Sequence, residues 1–240
     1  MIELRRPAGR FACVGHRGAS ALAPENTPQA FELAVELGCD MLEFDVLAQS
    51  DGTIVVAHDS RHLGDPGLVT FDEALAFFTE HLPNVGLQVD LKRRGIEPRV
   101  VDALRRHGVL ERSWVSGFDA DALRVVADLE PTLPRSFTYP RDRFGVSKRG
   151  PLAPLVRGAL KTSGASLPRR IPALLQRARA TALTLHYSVA SNEAIDRAHE
   201  LGAPVYVWTV DDRALVERLA RWGADGIITN DPRVFSGLTT

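Results

Sequence analysis

Cysteine is almost absent: the 240 residues contain two, Cys13 and Cys39. Each lies in an apolar, strand-like run, so both read as buried structural thiols rather than a disulfide framework or a thiolate metal site. Long apolar runs are also missing, and none approaches the roughly 20 residues of a membrane span. The stretch Met1–Pro7 carries Arg5 and Arg6 but no apolar segment of signal-peptide type, so a cytoplasmic location is expected. Net charge is nearly absent as well, with 29 basic against 30 acidic residues. What remains is a chain 45% hydrophobic and 25% charged, the balance of a soluble globular protein. It is long enough to bury a large core, and residues 1–240 are expected to form one domain.

The near-zero charge hides an asymmetry. Eleven of the 29 Lys and Arg residues fall between Arg135 and Arg179, against the single acid Asp142. A basic segment of about 135–180 on an acidic body fits either an anionic partner, such as an anionic membrane surface, or a solvated helix face. Nucleic acid is not expected, because no line of exposed aromatics interleaves these charges.

Apolar strand-like segments alternate with amphipathic helical ones along the chain. Strands are expected at 11–15, 39–47, 85–91, 114–118, 133–139, 182–186, 205–209 and 226–229. The helices between them are expected at 28–37, 71–78, 98–107, 120–129, 192–201 and 213–222. Two further helices are expected near 151–162 and 171–179, inside the basic excursion between the fifth and sixth strands. Ser50-Asp51-Gly52 is a hairpin signal, after which Thr53–Ala57 runs back as an extended arm. Eight strand–helix units imply parallel pairing through right-handed crossovers, hence an α/β (β/α)8 TIM barrel. A doubly wound open sheet is the alternative, but no G-x-G-x-x-G follows the first strand.

Barrel chemistry sits at the C-terminal ends of the strands. Glu43-Phe44-Asp45 closes the second strand, and alternation places both carboxylates on one face with Phe44 on the other. Paired carboxylates resist burial unless a positive partner stands between them, and a divalent metal is the simplest one; an exposed rim pair is the alternative. The first strand ends at His16 and Arg17, the hairpin arm at His58-Asp59, and the third strand at Asp90-Leu91-Lys92. Two histidines, three carboxylates and two cations at one mouth describe a metal site with proton carriers and groups for an anion.

Seven pieces resemble the glycerophosphodiester phosphodiesterase family. In order they are His16-Arg17-Gly18, Pro24-Glu25-Asn26-Thr27, Glu43-x-Asp45, Asp51-Gly52 leading to His58-Asp59, Leu91-Lys92, Trp208-Thr209-Val210 and Asp225-Gly226-Ile227-Ile228-Thr229. The resemblance spans nearly the whole chain. It implies a TIM barrel with one divalent cation, Ca²⁺ or Mg²⁺, that hydrolyses glycerophosphodiesters to sn-glycerol 3-phosphate and an alcohol. Carried over by position, Glu43, Asp45 and Asp90 would bind the metal, and His16 and His58 would act as general acid and base. Arg17, Lys92 and Trp208 would hold the substrate and its phosphate, with Glu25 and Asn26 supporting the site.

Two departures stand out. The family usually has Glu where this chain has Asp90, one methylene shorter. Only Ser60–Thr70 separates Asp59 from the next helix, where the family often has a sizeable insertion. Two rival functions follow: a lysophospholipase D-type phosphodiesterase at a membrane surface, and a barrel that binds a phosphorylated metabolite without turnover. A metal-dependent amidohydrolase is disfavoured because no His-x-His ends the first strand.

Overall fold

The computed structural model describes residues 1–7, 9–61, 63, 67–140 and 153–238, with 153–163 as backbone only. Eight parallel strands close into a barrel: β1 (Ala12–His16), β2 (Met41–Ala48), β4 (Gly86–Leu91), β5 (Ser113–Gly117), β6 (Arg135–Tyr139), β7 (Ala182–His186), β8 (Val205–Trp208) and β9 (Gly226–Thr229). Closure comes from β1, which pairs in parallel with both β2 and β9. The hairpin arm is β3 (Ile54–Val56), which lies antiparallel on β2 and outside the parallel ring. Among the described residues, seven α-helices pack between the strands: α1 (Pro28–Glu36), α2 (Phe71–Glu80), α3 (Glu97–Arg106), α4 (Ala120–Leu129), α5 (Ala153–Ala178), α6 (Asn192–Glu200) and α7 (Arg213–Arg221). The expected (β/α)8 barrel is the fold observed.

Local chemistry starts the helices where the apolar period begins. Thr70 and Glu73 form a reciprocal capping box on α2, while Thr27, Asp119, Ser191 and Asp212 accept backbone N–H groups at other N-termini. Outward-facing strand residues meet these helices. Phe44 packs at ring distances of 6.0 Å from Phe31 of α1 and 5.1 Å from Phe78 of α2. Inside the barrel, the end away from the site is closed by Met41, Trp114 and Tyr206, with Leu4 from the N-terminal segment beneath them. Tyr206 fits only because position 226 is glycine, since a Cβ there would stand 2.1 Å from its ring.

One expectation fails. The two short helices foreseen near 151–162 and 171–179 are a single helix through Pro168 and Pro172. Each internal proline costs about 3 kcal/mol. Burial outweighs this, because Leu167, Ile171 and Ala178 are fully buried, with Leu174 and Leu175 packed beside them. That spacing makes one apolar stripe on one helical face.

The basic segment is only partly visible. Arg141, Arg143, Lys148 and Arg149 lie outside the described residues, as do the side chains of Arg157 and Lys161. Of the rest, Arg135 is not a surface charge. It is buried and donates to the carbonyls of Pro131, Leu133 and Arg179. Among the described residues no helix is long and apolar enough to cross a membrane.

Candidate active site

The site is assembled by a loop that folds back over the strand ends. After His16 the chain turns through Arg17 at φ 57° and Gly18 at φ 79°. A Cβ at Gly18 would lie 2.5 Å from the carbonyl of Ala30, so only glycine lets the loop pass α1 this closely. The Arg17 amide donates to the Glu43 carbonyl at 2.7 Å and to Glu43 Oε2 at 3.1 Å. Asn26, also left-handed at φ 60°, donates from its backbone to the Arg17 carbonyl at 3.1 Å. Its side chain gives Nδ2–H to Asp45 Oδ2 at 3.3 Å and accepts the Asp45 amide at 3.4 Å.

Carboxylates and cations interleave around this loop. Asp45, with no exposed surface, pairs with Arg17 Nε at 3.0 Å through Oδ2 and with Lys92 Nζ at 2.6 Å through Oδ1. Lys92 also reaches Asp90 Oδ2 at 2.6 Å. The other oxygen of Asp90 receives the Ser116 hydroxyl at 2.6 Å, and Ser116 in turn accepts from Gln88 Nε2 at 3.0 Å. Glu25, at the exposed rim, holds Arg17 Nη1 at 2.7 Å.

Glu43 is placed differently. It is buried, and its Oε2 lies 3.8 Å from His16 Nε2. Burial, then repulsion from Asp45, pushes its carboxyl well above the usual carboxylate range. Burial acts in the same direction on Asp45, but Lys92 and Arg17 outweigh it and hold that carboxyl low. Lys92 is held protonated: burial opposes its charge, and Asp45 and Asp90 overcome the opposition. Burial and the neighbouring Arg17 lower His16 to about 4, and burial also lowers the half-exposed His58.

These side chains line a cavity of about 190 Å³. Its walls include His16, Arg17, Glu43, His58, Asp90, Lys92 and Trp208 from the sequence reading. Asp45, Asn26 and Glu25 brace the lining residues from behind or from the rim. Trp208 stands edge-on to Phe118 and to His186, at ring distances of 5.8 and 5.1 Å. Gln88, Phe118, Thr138 and Thr184 also line the cavity but were not singled out from the sequence, and Ile228, part of a resemblance piece but given no role there, lines it too. Strand alternation could have found Gln88 and Thr184, each two residues before a polar strand end.

The donor set fits a divalent cation. One oxygen from each of Glu43, Asp45 and Asp90 lies within 4.8 Å of the others. Oxygens sharing one Ca²⁺ at 2.3–2.6 Å can be at most about 5 Å apart. Glu43, a buried carboxyl driven toward its neutral form, marks where added positive charge would be most stabilising.

The family model for the glycerophosphoryl diester phosphodiesterase family matches residues 16–65 and 70–234. A glycerophosphodiester phosphodiesterase of Caldanaerobacter subterraneus subsp. tengcongensis is 28% identical over 260 residues, covering 94% of this chain and 96% of its own. The putative glycerophosphodiester phosphodiesterase YhdW of Bacillus subtilis is 28% identical over 250 residues, covering 91% and 94%. Among solved structures, a putative glycerophosphodiester phosphodiesterase of Galdieria sulphuraria superposes with a TM-score of 0.77 at 20% identity, covering 98% of this chain and 100% of its own. An Oleispira antarctica phosphodiesterase, solved with the product sn-glycerol-3-phosphate, superposes with a TM-score of 0.70 at 20% identity, covering 92% and 94%. With the seven motif pieces spread over six strands and the family model matching residues 16–65 and 70–234, this chain belongs to the glycerophosphoryl diester phosphodiesterase family.

Proposed function

We propose that the protein is a metal-dependent hydrolase of glycerophosphodiesters, releasing sn-glycerol 3-phosphate and an alcohol. The observation that carries this reading is the clustering of Glu43, Asp45 and Asp90 oxygens within 4.8 Å beside a cavity that His16 and His58 also line. A divalent cation, Ca²⁺ or Mg²⁺, held by these carboxylates would neutralise charge developing on the phosphodiester. Arg17 and Lys92 add fixed positive charge where the anionic phosphate must sit. One imidazole takes a proton from the attacking water as its oxygen bonds to phosphorus. The other gives a proton to the alcohol oxygen as its bond to phosphorus breaks. Trp208 and Phe118 form an apolar wall against which the organic part of the substrate can pack.

The test is hydrolysis of glycerophosphocholine with product identification. Excess chelator should stop the reaction, and Ca²⁺ or Mg²⁺ should restore it. A full rate in chelator with no bound metal on elemental analysis would remove the metal from the proposal. No turnover of any glycerophosphodiester by the metal-loaded protein would leave the non-catalytic, phosphometabolite-binding reading.

Asp90 gives a sharper prediction. Both of its oxygens are engaged at 2.6 Å, by Ser116 and by Lys92. Asp90→Glu adds a methylene to this filled space, which typically costs about 1–3 kcal/mol. The variant should bind metal more weakly and turn over more slowly, although it restores the residue usual in the family. Tighter metal binding with faster turnover would show that the site is slack instead.

A further inference from the structure

By residue type alone, His16 and His58 could exchange their acid and base roles, but the hydrogen bonds around His16 are directional and separate them. Asp211, in the loop after β8, receives Thr229 Oγ1 at 2.9 Å and the Asn230 amide N–H at 2.8 Å on Oδ1. Its Oδ2 receives Asn230 Nδ2 at 2.7 Å. A carboxylate only accepts, so the side-chain atom of Asn230 turned toward it is the NH₂ group. The carbonyl oxygen of Asn230 therefore points the other way. There it lies 2.6 Å from His16 Nδ1 and also receives the Ser20 hydroxyl at 3.0 Å. That oxygen is an acceptor only, so the proton between it and the ring belongs to Nδ1. A neutral imidazole has one N–H, which leaves the lone pair on Nε2, the atom 3.8 Å from Glu43 Oε2.

We propose that Asn230 and Asp211 are positioning residues that lock His16 in its Nδ1–H form, making Nε2 the proton acceptor of the site and His16 the general base. This rests on the reaction proposed above. His16 Nε2 takes a proton of the attacking water as the new oxygen–phosphorus bond forms. His58, on the more exposed side of the cavity, protonates the departing alcohol as its bond to phosphorus breaks. The device joins three neighbouring strand ends: β1 supplies His16, the loop after β8 supplies Asp211, and the end of β9 supplies Asn230. A carboxylate two residues removed from the ring thus sets which ring nitrogen is free, the same logic by which an orienting partner fixes a catalytic imidazole elsewhere.

The experiment is long-range ¹H–¹⁵N correlation on protein labelled at histidine, with the His16 signals identified by their loss in His16→Gln. The wild type should show a protonated Nδ1 and an unprotonated Nε2. Asn230→Leu keeps the side-chain shape and removes the acceptor. It should lose this pattern and lower kcat by about 10²-fold, with KM changed by no more than about three-fold. Asp211→Asn, which never touches the ring, should move both readouts in the same direction by less, because the amide of Asn230 is no longer held one way round. An Nε2–H tautomer in the wild type would overturn the proposal. So would an unchanged His16 spectrum in Asn230→Leu with kcat within about three-fold of wild type. If Asn230→Leu does not fold, the wild-type spectrum and Asp211→Asn decide. A wild type showing the Nδ1–H form without hydrolysing any glycerophosphodiester would overturn the reaction and the base role together, while the lock itself would stand.

Discussion

His16→Ala and His58→Ala should each lower kcat by about 10²–10⁴-fold, the range expected for a positioned acid or base. The melting temperature should move by only a few degrees. His58 lies at the edge of the cavity, half-exposed, with its nearest acid, Asp59, at 3.7 Å, so little packing is lost with it. His16 is more enclosed but is held chiefly by one bond to Asn230, worth about 1 kcal/mol. The test is a kcat measurement on glycerophosphocholine alongside thermal melting. Either variant keeping more than about a tenth of wild-type kcat would lose its assigned role. A collapse in melting temperature would instead make that histidine a structural residue. The two variants should differ in one respect. A substrate with a very good leaving alcohol needs no acid, so it should rescue His58→Ala and not His16→Ala.

Much of this site was legible in the sequence because strand alternation is a rigid rule. Glu43 and Asp45 had to share a face, and Phe44 had to oppose them among the aromatics of α1 and α2. Position along the chain placed His16, His58 and Lys92 at strand ends, where a barrel gathers its chemistry. Asn230 and Asp211 were not legible in the same way. Each is an ordinary turn residue by type, and its importance comes from a partner 214 residues distant in one case and 19 in the other. The path of Lys92 was hidden for a related reason: periodicity gives the face of a side chain but not its rotamer. Helix α5 failed as a local reading because Pro168 and Pro172 say stop, while Leu167 and Ile171 are buried firmly enough to carry the helix through them.

The rotamer of Lys92 leads to the prediction with the largest effect on stability. Its ammonium bridges Asp45 and Asp90 at 2.6 Å each, inside a site with three buried carboxyls and one other cation, Arg17. Lys92→Met keeps the length of the side chain and removes the charge. Breaking a buried ion pair from one side typically costs about 3–5 kcal/mol, because the partner charge is left behind. In a chain of this size that should lower the melting temperature by roughly 10 °C in metal-free buffer. The pH dependence follows from Asp45, whose carboxyl is held below its ordinary range, with burial opposing and Lys92 foremost in favour. A depressed carboxyl stabilises the fold above its unfolded pKa of about 3.9, and that contribution is lost as pH falls. The gap between wild type and variant should therefore be full near neutrality and narrow on acidification through the carboxylate range. Divalent cation should narrow it too, since saturation at 100 times Kd contributes about 2.7 kcal/mol to whichever protein binds it. With Lys92 gone, Asp45 and Asp90 are free to face the ion, so Ca²⁺ should raise the melting temperature of Lys92→Met more than that of the wild type. Turnover should still be poor, because the phosphate has lost a cation that the ion alone does not replace. A metal-free melting temperature within two or three degrees of wild type would show that Lys92 does not hold the carboxylates together. An equal Ca²⁺ response in the two proteins would place the cation away from Asp45 and Asp90.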